Sequence, residues 1–410
     1  MPGRSALFQA WVVVFTIACT LTVILFARAL ITLAREQAFR PTPSATPTRA
    51  PPAPTALPSP SPTFISEAMP PTLDDFWEGR ADWRLEIADV GLPVGESDTL
   101  AGPDGRLWSY LHASFQSAGV RDQFDQPVPF PGCVTLWTSA DGGRRFQLTA
   151  PRCLLPCLAQ PCQPAVDQID QQQYPRVRRA DDGLFYMVYE WGGRAYLRSS
   201  FDGLNWSASE GVAGTGIWKD FEGPCEAYQR IQPFPLLPDD YACLSGAPPG
   251  LWIEGDGLYM FVGMGKSPAH MGCFYGRRTH GAAAMQPCGA NPLFTGAEVY
   301  GRTDTVSPEM NPYFDFHIIS SADVLKVGDR YYMLYEGIRG VNQFALGLAR
   351  SAGPQIDGLW EKYPGNPILM DVPGNIGVGH ADVIVLDGVT YLYTATSGTT
   401  RGRYVLVWRE

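Results

Sequence analysis

The chain has 410 residues and a formal net charge of −10; 43 Gly and 37 Pro make up about a fifth of it, aromatic residues 12% and charged residues 18%. That balance argues against a soluble helical protein and for a turn-rich β architecture with a sizeable core. Residues 1–72 hold five Arg and two acids, so residues 73–410 hold 26 basic and 39 acidic side chains, and a body this acidic has no field with which to gather nucleic acid.

The N-terminal run Ala10–Ala27 is 18 residues long and uncharged, about the minimum for crossing hydrocarbon as a helix. It reads as a signal anchor, or as a signal peptide with Ala27-Arg28-Ala29 as the cleavage site. Arg28, Arg35 and Arg40 follow it and oppose the positive-inside rule for export. Residues 41–63 contain nine Pro among 23 and cannot build a core; as an extended stalk they would reach on the order of 70 Å. The expected organisation is residues 1–36 as signal anchor or signal peptide, 37–72 as a disordered Pro/Ser/Thr-rich linker and 73–410 as a folded body. It places the body outside the cytoplasm, with the membrane as partner through the N-terminal helix.

Eight cysteines follow that segment: Cys133, Cys153, Cys157, Cys162, Cys225, Cys243, Cys273 and Cys288. An even set suggests disulfides and an oxidising compartment, with Cys225–Cys243 and Cys273–Cys288 as nearest-neighbour pairs. Zinc is the rival reading of Cys153-x3-Cys157-x4-Cys162, although Pro156 and Pro161 interrupt the spacing and no close His completes it.

Five times in the body a turn dipeptide precedes an aromatic-rich strand. These are Asp104-Gly105 before LWSYLHA, Asp182-Gly183 before LFYMVYE, Asp256-Gly257 before LYMFVG, Gly328-Asp329 before RYYMLYE and Asp387-Gly388 before VTYLYTA. Each follows a short β-like run, which is the pattern of a hairpin. The intervals of 78, 74, 72 and 59 residues suit four-stranded blades with loops, and five such units predict a five-bladed β-propeller, an all-β fold. Only three strands remain for the fifth unit, so the segment around Trp83–Ala88 is expected to supply the fourth and close the ring. A pair of β-sandwiches is the rival fold.

The outer hairpins repeat as well. Ser139-Ala-Asp141-Gly-Gly143-Arg-Arg-Phe146 resembles the S-x-D-x-G-x-x-[FW] box of sialidase-like propellers; Ser200–Trp206 is a shortened form and Ser351–Trp360 a third. In such a box Ser and Asp close the turn and the aromatic packs between blades. Gly263-Met-Gly265-Lys266-Ser267 ends like a phosphate-binding loop, but it lacks the first Gly and Pro268 stands where the helix should begin.

Three stretches resemble the five-bladed propellers of glycoside hydrolase families 43, 32 and 130. Tyr174–Glu190 is similar to the D-P-R-V … Y-Y-M-x-Y stretch of family 130, and Gly377–Tyr393, with Gly379-His380-Ala-Asp382, to the fifth-blade stretch of family 43. Arg339–Leu369 is similar to the fourth-blade ending that the families share. The resemblance implies a furanosidase-like propeller acting on poly- or oligosaccharide, with carboxyl groups at the inner ends of the blades doing acid and base work. It implies Asp98 as the base, Asp323 or Asp382 as the carboxylate that tunes it, and Glu222 of Glu222-Gly223-Pro224, or an unassigned Glu, as the acid. Gly246-Ala247-Pro248 stands where family 43 has Glu, and Tyr174 where family 130 has Asp. It further implies Tyr174, Arg176, Trp252, His317 and His380 as substrate-binding residues. His380 matches an axial histidine beside a central ion or water, which allows a structural calcium ion in the channel. Trp108, Trp191 and Trp252 either stack on sugar or pack between blades. Glu190 and Glu336 end second strands, as rim acids or as solvated strand ends, and His270 and His280 are expected at the surface. A glycosidase and a non-catalytic carbohydrate-binding or adhesion module that has lost its acid both fit this pattern.

Overall fold

The computed structural model describes residues 69–113, 133–149, 153–155, 172–191, 194–211, 248–264, 269–296, 314–315, 318–338, 344–370 and 379–410. The apolar N-terminal run, the Pro-rich segment, Glu222, His317, Cys157, Cys162, Cys225 and Cys243 lie outside them, as does the side chain of Trp191. Among the described residues no helix is long and apolar enough to cross a membrane.

The first blade is β2 (Gly95–Ala101), β3 (Leu107–Ala113), β4 (Val134–Ser139) and β5 (Gln147–Leu148). The second is β6 (Gln172–Arg179), β7 (Phe185–Trp191), β8 (Arg194–Ser200) and β9 (Glu210–Gly211). The third is β10 (Gly250–Glu254), β11 (Gly257–Met264), β12 (His270–Arg277) and β13 (Gln286–Pro287), with β14 (Phe294–Thr295) also on β12. The fourth is β15 (Ile318–Val327), β16 (Arg330–Ile338), β17 (Phe344–Ser351) and β18 (Trp360–Lys362). The fifth is β19 (Asp382–Leu386), β20 (Val389–Ala395) and β21 (Arg401–Trp408), completed by β1 (Ala81–Ile87) from the other end of the folded body. All blades are antiparallel meanders, and β1 pairs with β21 from Ala81↔Trp408 to Ile87↔Arg403, so the ring closes as the strand count requires. The molecule is a five-bladed β-propeller.

The hairpin turns sit where the sequence puts them in four blades. In the third, Glu254 pairs with Gly257 and Gly255 takes φ +56°, so the turn is Gly255-Asp256, one residue earlier than the Asp-Gly dipeptide suggested. A short helix, α1 (Leu73–Trp77), was not foreseen; Thr72 and Asp75 form a capping box and Leu73 and Phe76 are buried against the fourth and fifth blades.

Among the described residues the core is divided into five apolar clusters, each filling one seam between neighbouring blades. The outer boxes pin these seams. Ser139 Oγ donates to Asp141 and accepts from the Gly143 amide, and the Gly143 carbonyl receives the Tyr393 hydroxyl of the fifth blade at 3.1 Å. The second-blade box repeats this with Ser200, Asp202 and Gly203, whose carbonyl receives Tyr110 of the first blade at 3.0 Å. The box aromatics Phe146, Trp206 and Trp360 meet Tyr393, Tyr110 and Phe261 of the preceding blade edge-on. These contacts account for the boxes without any catalytic part.

Among the described residues two disulfides form, Cys273–Cys288 as expected and Cys133–Cys153. The second takes Cys153 out of the zinc reading, because a disulfide sulfur is not a thiolate ligand.

Candidate active site on the propeller axis

The innermost strands β2, β6, β10, β15 and β19 surround the axis, and counting back from each hairpin turn aligns five triplets. They read Glu96-Ser-Asp98, Tyr174-Pro-Arg176, Pro248-Pro-Gly250, Ser321-Ala-Asp323 and His380-Ala-Asp382. The pairing agrees: Asp98, Arg176, Gly250, Asp323 and Asp382 face Tyr110, Val188, Phe261, Leu334 and Tyr393 on the second strands. Three first members, Tyr174, Ser321 and His380, take left-handed backbone angles of +54° to +59°, which side chains with a Cβ rarely adopt. The ladders of β6 and β15 slip there, between Gln173 and Arg176 and between Ser320 and Asp323, as a bulge that re-aims the side chain requires. Gly250 has no side chain because a Cβ would lie 2.6 Å from the Ala322 carbonyl of the neighbouring blade.

The third members form the deeper layer. Asp98, Asp323 and Asp382 are all buried and bring oxygens within 4.8 Å of one another. Each ties its strand to the next blade. Asp98 accepts from the Val177 amide, Asp323 from the Val383 amide at 2.6 Å, and Asp382 from the Thr99 amide at 2.9 Å. Asp382 also accepts from Ser97 Oγ and Thr99 Oγ1 at 2.6 and 2.7 Å. Arg178 spans Asp98 and Asp323 with Nη1 and Nη2. Every oxygen of the three carboxyl groups therefore already meets a donor of the protein. Burial, opposed by Arg178 and reinforced by Asp323, pushes Asp98 up to about 7; burial and Asp323 likewise raise Asp382.

The shallower layer contains residues the sequence reading did not bring together. Glu96 was not singled out there, and Glu336 carried solvation at a strand end as one reading; both are buried, at 1% and 2% exposure. His380 Nδ1 contacts Glu96 Oε1 and lies 3.7 Å from Glu336 Oε1. Glu96 also accepts from Ser321 Oγ at 2.6 Å and pairs with Arg176 at 3.2 Å. Glu336 Oε2 accepts from Ser320 Oγ at 3.2 Å, while Oε1 has no hydrogen-bond partner among the described residues. Gly379 makes room for that oxygen, since a Cβ there would collide with it.

The two carboxyls are held in opposite states. Burial works against the charged form of Glu96, but His380 and Arg176 outweigh it and hold the group down to about 2. Burial pushes Glu336 up to about 7, against the pull of His380 and with the repulsion of Glu96. Burial alone would lower His380; the two glutamates raise it. At neutral pH the layer thus combines an ionised carboxylate with a carboxyl on the edge of protonation. The signal for Glu96 was in the sequence, as the acid two residues before Asp98 that matches His380 before Asp382.

The remaining expected residues fall as follows. Tyr174 is partly exposed, stacks on His380 at 6.2 Å and meets His112 edge-on at 5.4 Å. Arg176 is fully buried and donates to the Ser97 and Ala381 carbonyls and to Ser321 Oγ, so it ties four blades together. Trp252 packs edge-on against Tyr331 of the fourth blade, and Trp108 stacks on Phe185 of the second, so both lie in seams. Glu190 is buried, not solvated. His270 is buried on β12, and burial pushes it down to about 3, whereas His280 is exposed as expected.

The acidic side chains of both layers lie close enough to one another to hold a metal ion, but neither layer offers the roughly six to eight oxygen ligands that calcium takes. In the deeper layer protein donors cover every carboxyl oxygen. In the shallower layer Arg176, Ser321 and His380 already occupy Glu96, and only one Glu336 oxygen is left.

No family model matches the chain, and no curated protein does. Among solved structures it is similar to a thermostable family-43 glycoside hydrolase, at 16% identity and TM-score 0.47, over 78% of this chain and 90% of that one. It is similar to an endo-arabinase from Bacteroides thetaiotaomicron at 12% identity and TM-score 0.47, over 80% and 98%. It is also similar to an N-acetylgalactosamine deacetylase from F. plautii at 12% identity and TM-score 0.46, over 80% and 96%. Resemblance this distant assigns neither residues nor chemistry, and a fold of this kind hosts more than one activity.

Proposed function

We propose that the chain is a carbohydrate-active propeller of the glycoside hydrolase type, working on extracytoplasmic glycans from the axial pocket. The observation that carries this is the pair Glu96 and Glu336, whose environments drive their protonation apart on either side of His380. Hydrolysis of a glycosidic bond needs one protonated and one ionised carboxyl group facing each other across it. Glu336 takes the part of the acid, its buried Oε1 lying 3.7 Å from His380 Nδ1, and Glu96 that of the ionised partner. Tyr174 and His380, the partly exposed members, form the face toward a sugar. Asp98, Asp323 and Asp382 then act as ties that hold the inner strands in register. Glu222 stays open as an alternative acid. The two disulfides support a location outside the cytoplasm, with residues 1–36 as anchor or signal peptide.

A second reading is a carbohydrate-binding or adhesion module without turnover. The saturation of Asp98 by Arg178 and the Val177 amide, and of Glu96 by His380, Arg176 and Ser321, favours it, because a base so engaged cannot take a proton from water. The two separate on a panel of aryl furanosides and pyranosides with wild type, Glu336→Gln, Glu96→Gln and Asp98→Asn. Turnover that falls by about 100-fold or more in Glu336→Gln supports the hydrolase. Turnover lost only in Asp98→Asn returns the base to that residue. No turnover with saturable polysaccharide binding supports the module.

A further inference from the structure

The deeper axial layer poses a problem of charge. Three aspartates, each under about 1% exposed, point oxygens to within 4.8 Å of one another. Such a cluster needs a cation, for buried like charges are costly unless compensated. The sequence supplies one on β6. Alternation along that strand puts Arg178 in line with Arg176. Arg178 Nη1 lies 2.9 and 2.7 Å from the two Asp98 oxygens, and Nη2 lies 2.5 Å from Asp323 Oδ1, so one guanidinium bridges the first and fourth blades from the second. Its planar fork suits that bridging. The side chain keeps 17% exposure while its partners keep almost none, so the plug can be reached from solvent.

We propose that Arg178 is a built-in cation that stands where a divalent ion would otherwise be needed, so that the propeller closes around Asp98, Asp323 and Asp382 without metal. Removing the guanidinium uncovers Asp98 Oδ1 and Asp323 Oδ1 beside the third carboxylate, Asp382, at ligand spacing, and the layer becomes a site for a hard divalent cation. The inference concerns the deeper layer only and does not depend on the parts given to Glu96 and Glu336.

The test is thermal unfolding of the purified full-length chain in EDTA and in millimolar calcium, with elemental analysis of the wild type. Wild type is expected to hold no stoichiometric metal and to melt at the same temperature in both buffers. Arg178→Ala is expected to melt lower in EDTA, by on the order of 5–10 °C, and to recover much of that in calcium. Arg178→Lys keeps the charge and should stay insensitive to calcium. Arg178→Gln keeps donors without charge and replaces the Ala variant if that does not fold. A melting temperature of wild type that drops in EDTA, or stoichiometric metal in it, overturns the proposal. So does an uncharged variant that calcium does not stabilise, or a Lys variant that responds as the uncharged one does.

Discussion

Asp382→Ala tests whether the axial aspartates are ties between blades. In the wild type this side chain takes three donors of the first blade: the Thr99 amide at 2.9 Å, Ser97 Oγ at 2.6 Å and Thr99 Oγ1 at 2.7 Å. Alanine leaves all three buried. The amide cannot turn elsewhere, and an unpaired buried donor costs about 1–3 kcal/mol. The hydroxyls can rotate, so they add less, and the vacated space adds on the order of 1 kcal/mol. Relief of the repulsion between Asp382 and Asp323 works the other way. The net expectation is a loss of about 3–4 kcal/mol. Asp382→Asn keeps the acceptor for the Thr99 amide and turns its NH2 toward hydroxyls that can accept, so it should cost about 1 kcal/mol. Equilibrium unfolding in urea measures both. A loss below about 1 kcal/mol in the Ala variant, or equal losses in the two, would refute the tie.

Other consequences follow from the same geometry. Gly143→Ala should destabilise by about 3 kcal/mol, because its φ is +81° and the new Cβ meets the Tyr393 hydroxyl that bonds its own carbonyl; urea midpoints check it. Reduction of Cys273–Cys288, which closes a separation of 15 residues, should cost about 3 kcal/mol, read as the melting shift of the double Ser variant. The pH dependence has two limbs. Glu336 is raised from 4.5 to about 7, so its contribution is full below the unfolded value and is lost as pH rises through about 7. Glu96 is lowered to about 2, so its contribution is present above 4.5 and lost as pH falls toward 2. Glu336→Gln should lessen the upper limb, to which Asp98 also contributes, and leave the lower one in place, in melting curves taken across both ranges.

The ring was legible because its unit is local. A turn residue with positive φ between two alternating strands leaves the same mark five times, and a three-strand remainder demands a fourth from the N-terminal side. Asp98, Asp323 and Asp382 were legible through the family resemblance, and Asp323 and Asp382 also stand at the same distance, five residues, before their turns. What they do was not, because a carboxylate that accepts an amide from the next blade looks in sequence like one that accepts a proton. Glu96 and Glu336 come from different strands of different blades, and only the closed ring brings them to His380. The left-handed angles of Tyr174, Ser321 and His380 also carry no sequence mark, for none is glycine. Burial of Glu190 and His270 escaped the reading because a strand end is solvated or sealed according to neighbours that are distant in the chain.

The most direct measurement is an infrared titration of the carboxyl C=O band in wild type and Glu336→Gln. The account predicts protonated-carboxyl absorption that disappears as pH rises through about 7, and that is smaller by one group in the Gln variant, where Asp98 still titrates in that range. An identical titration in the two proteins, or no protonated carboxyl at neutral pH, would contradict the opposed states of Glu96 and Glu336 and remove the acid from the site.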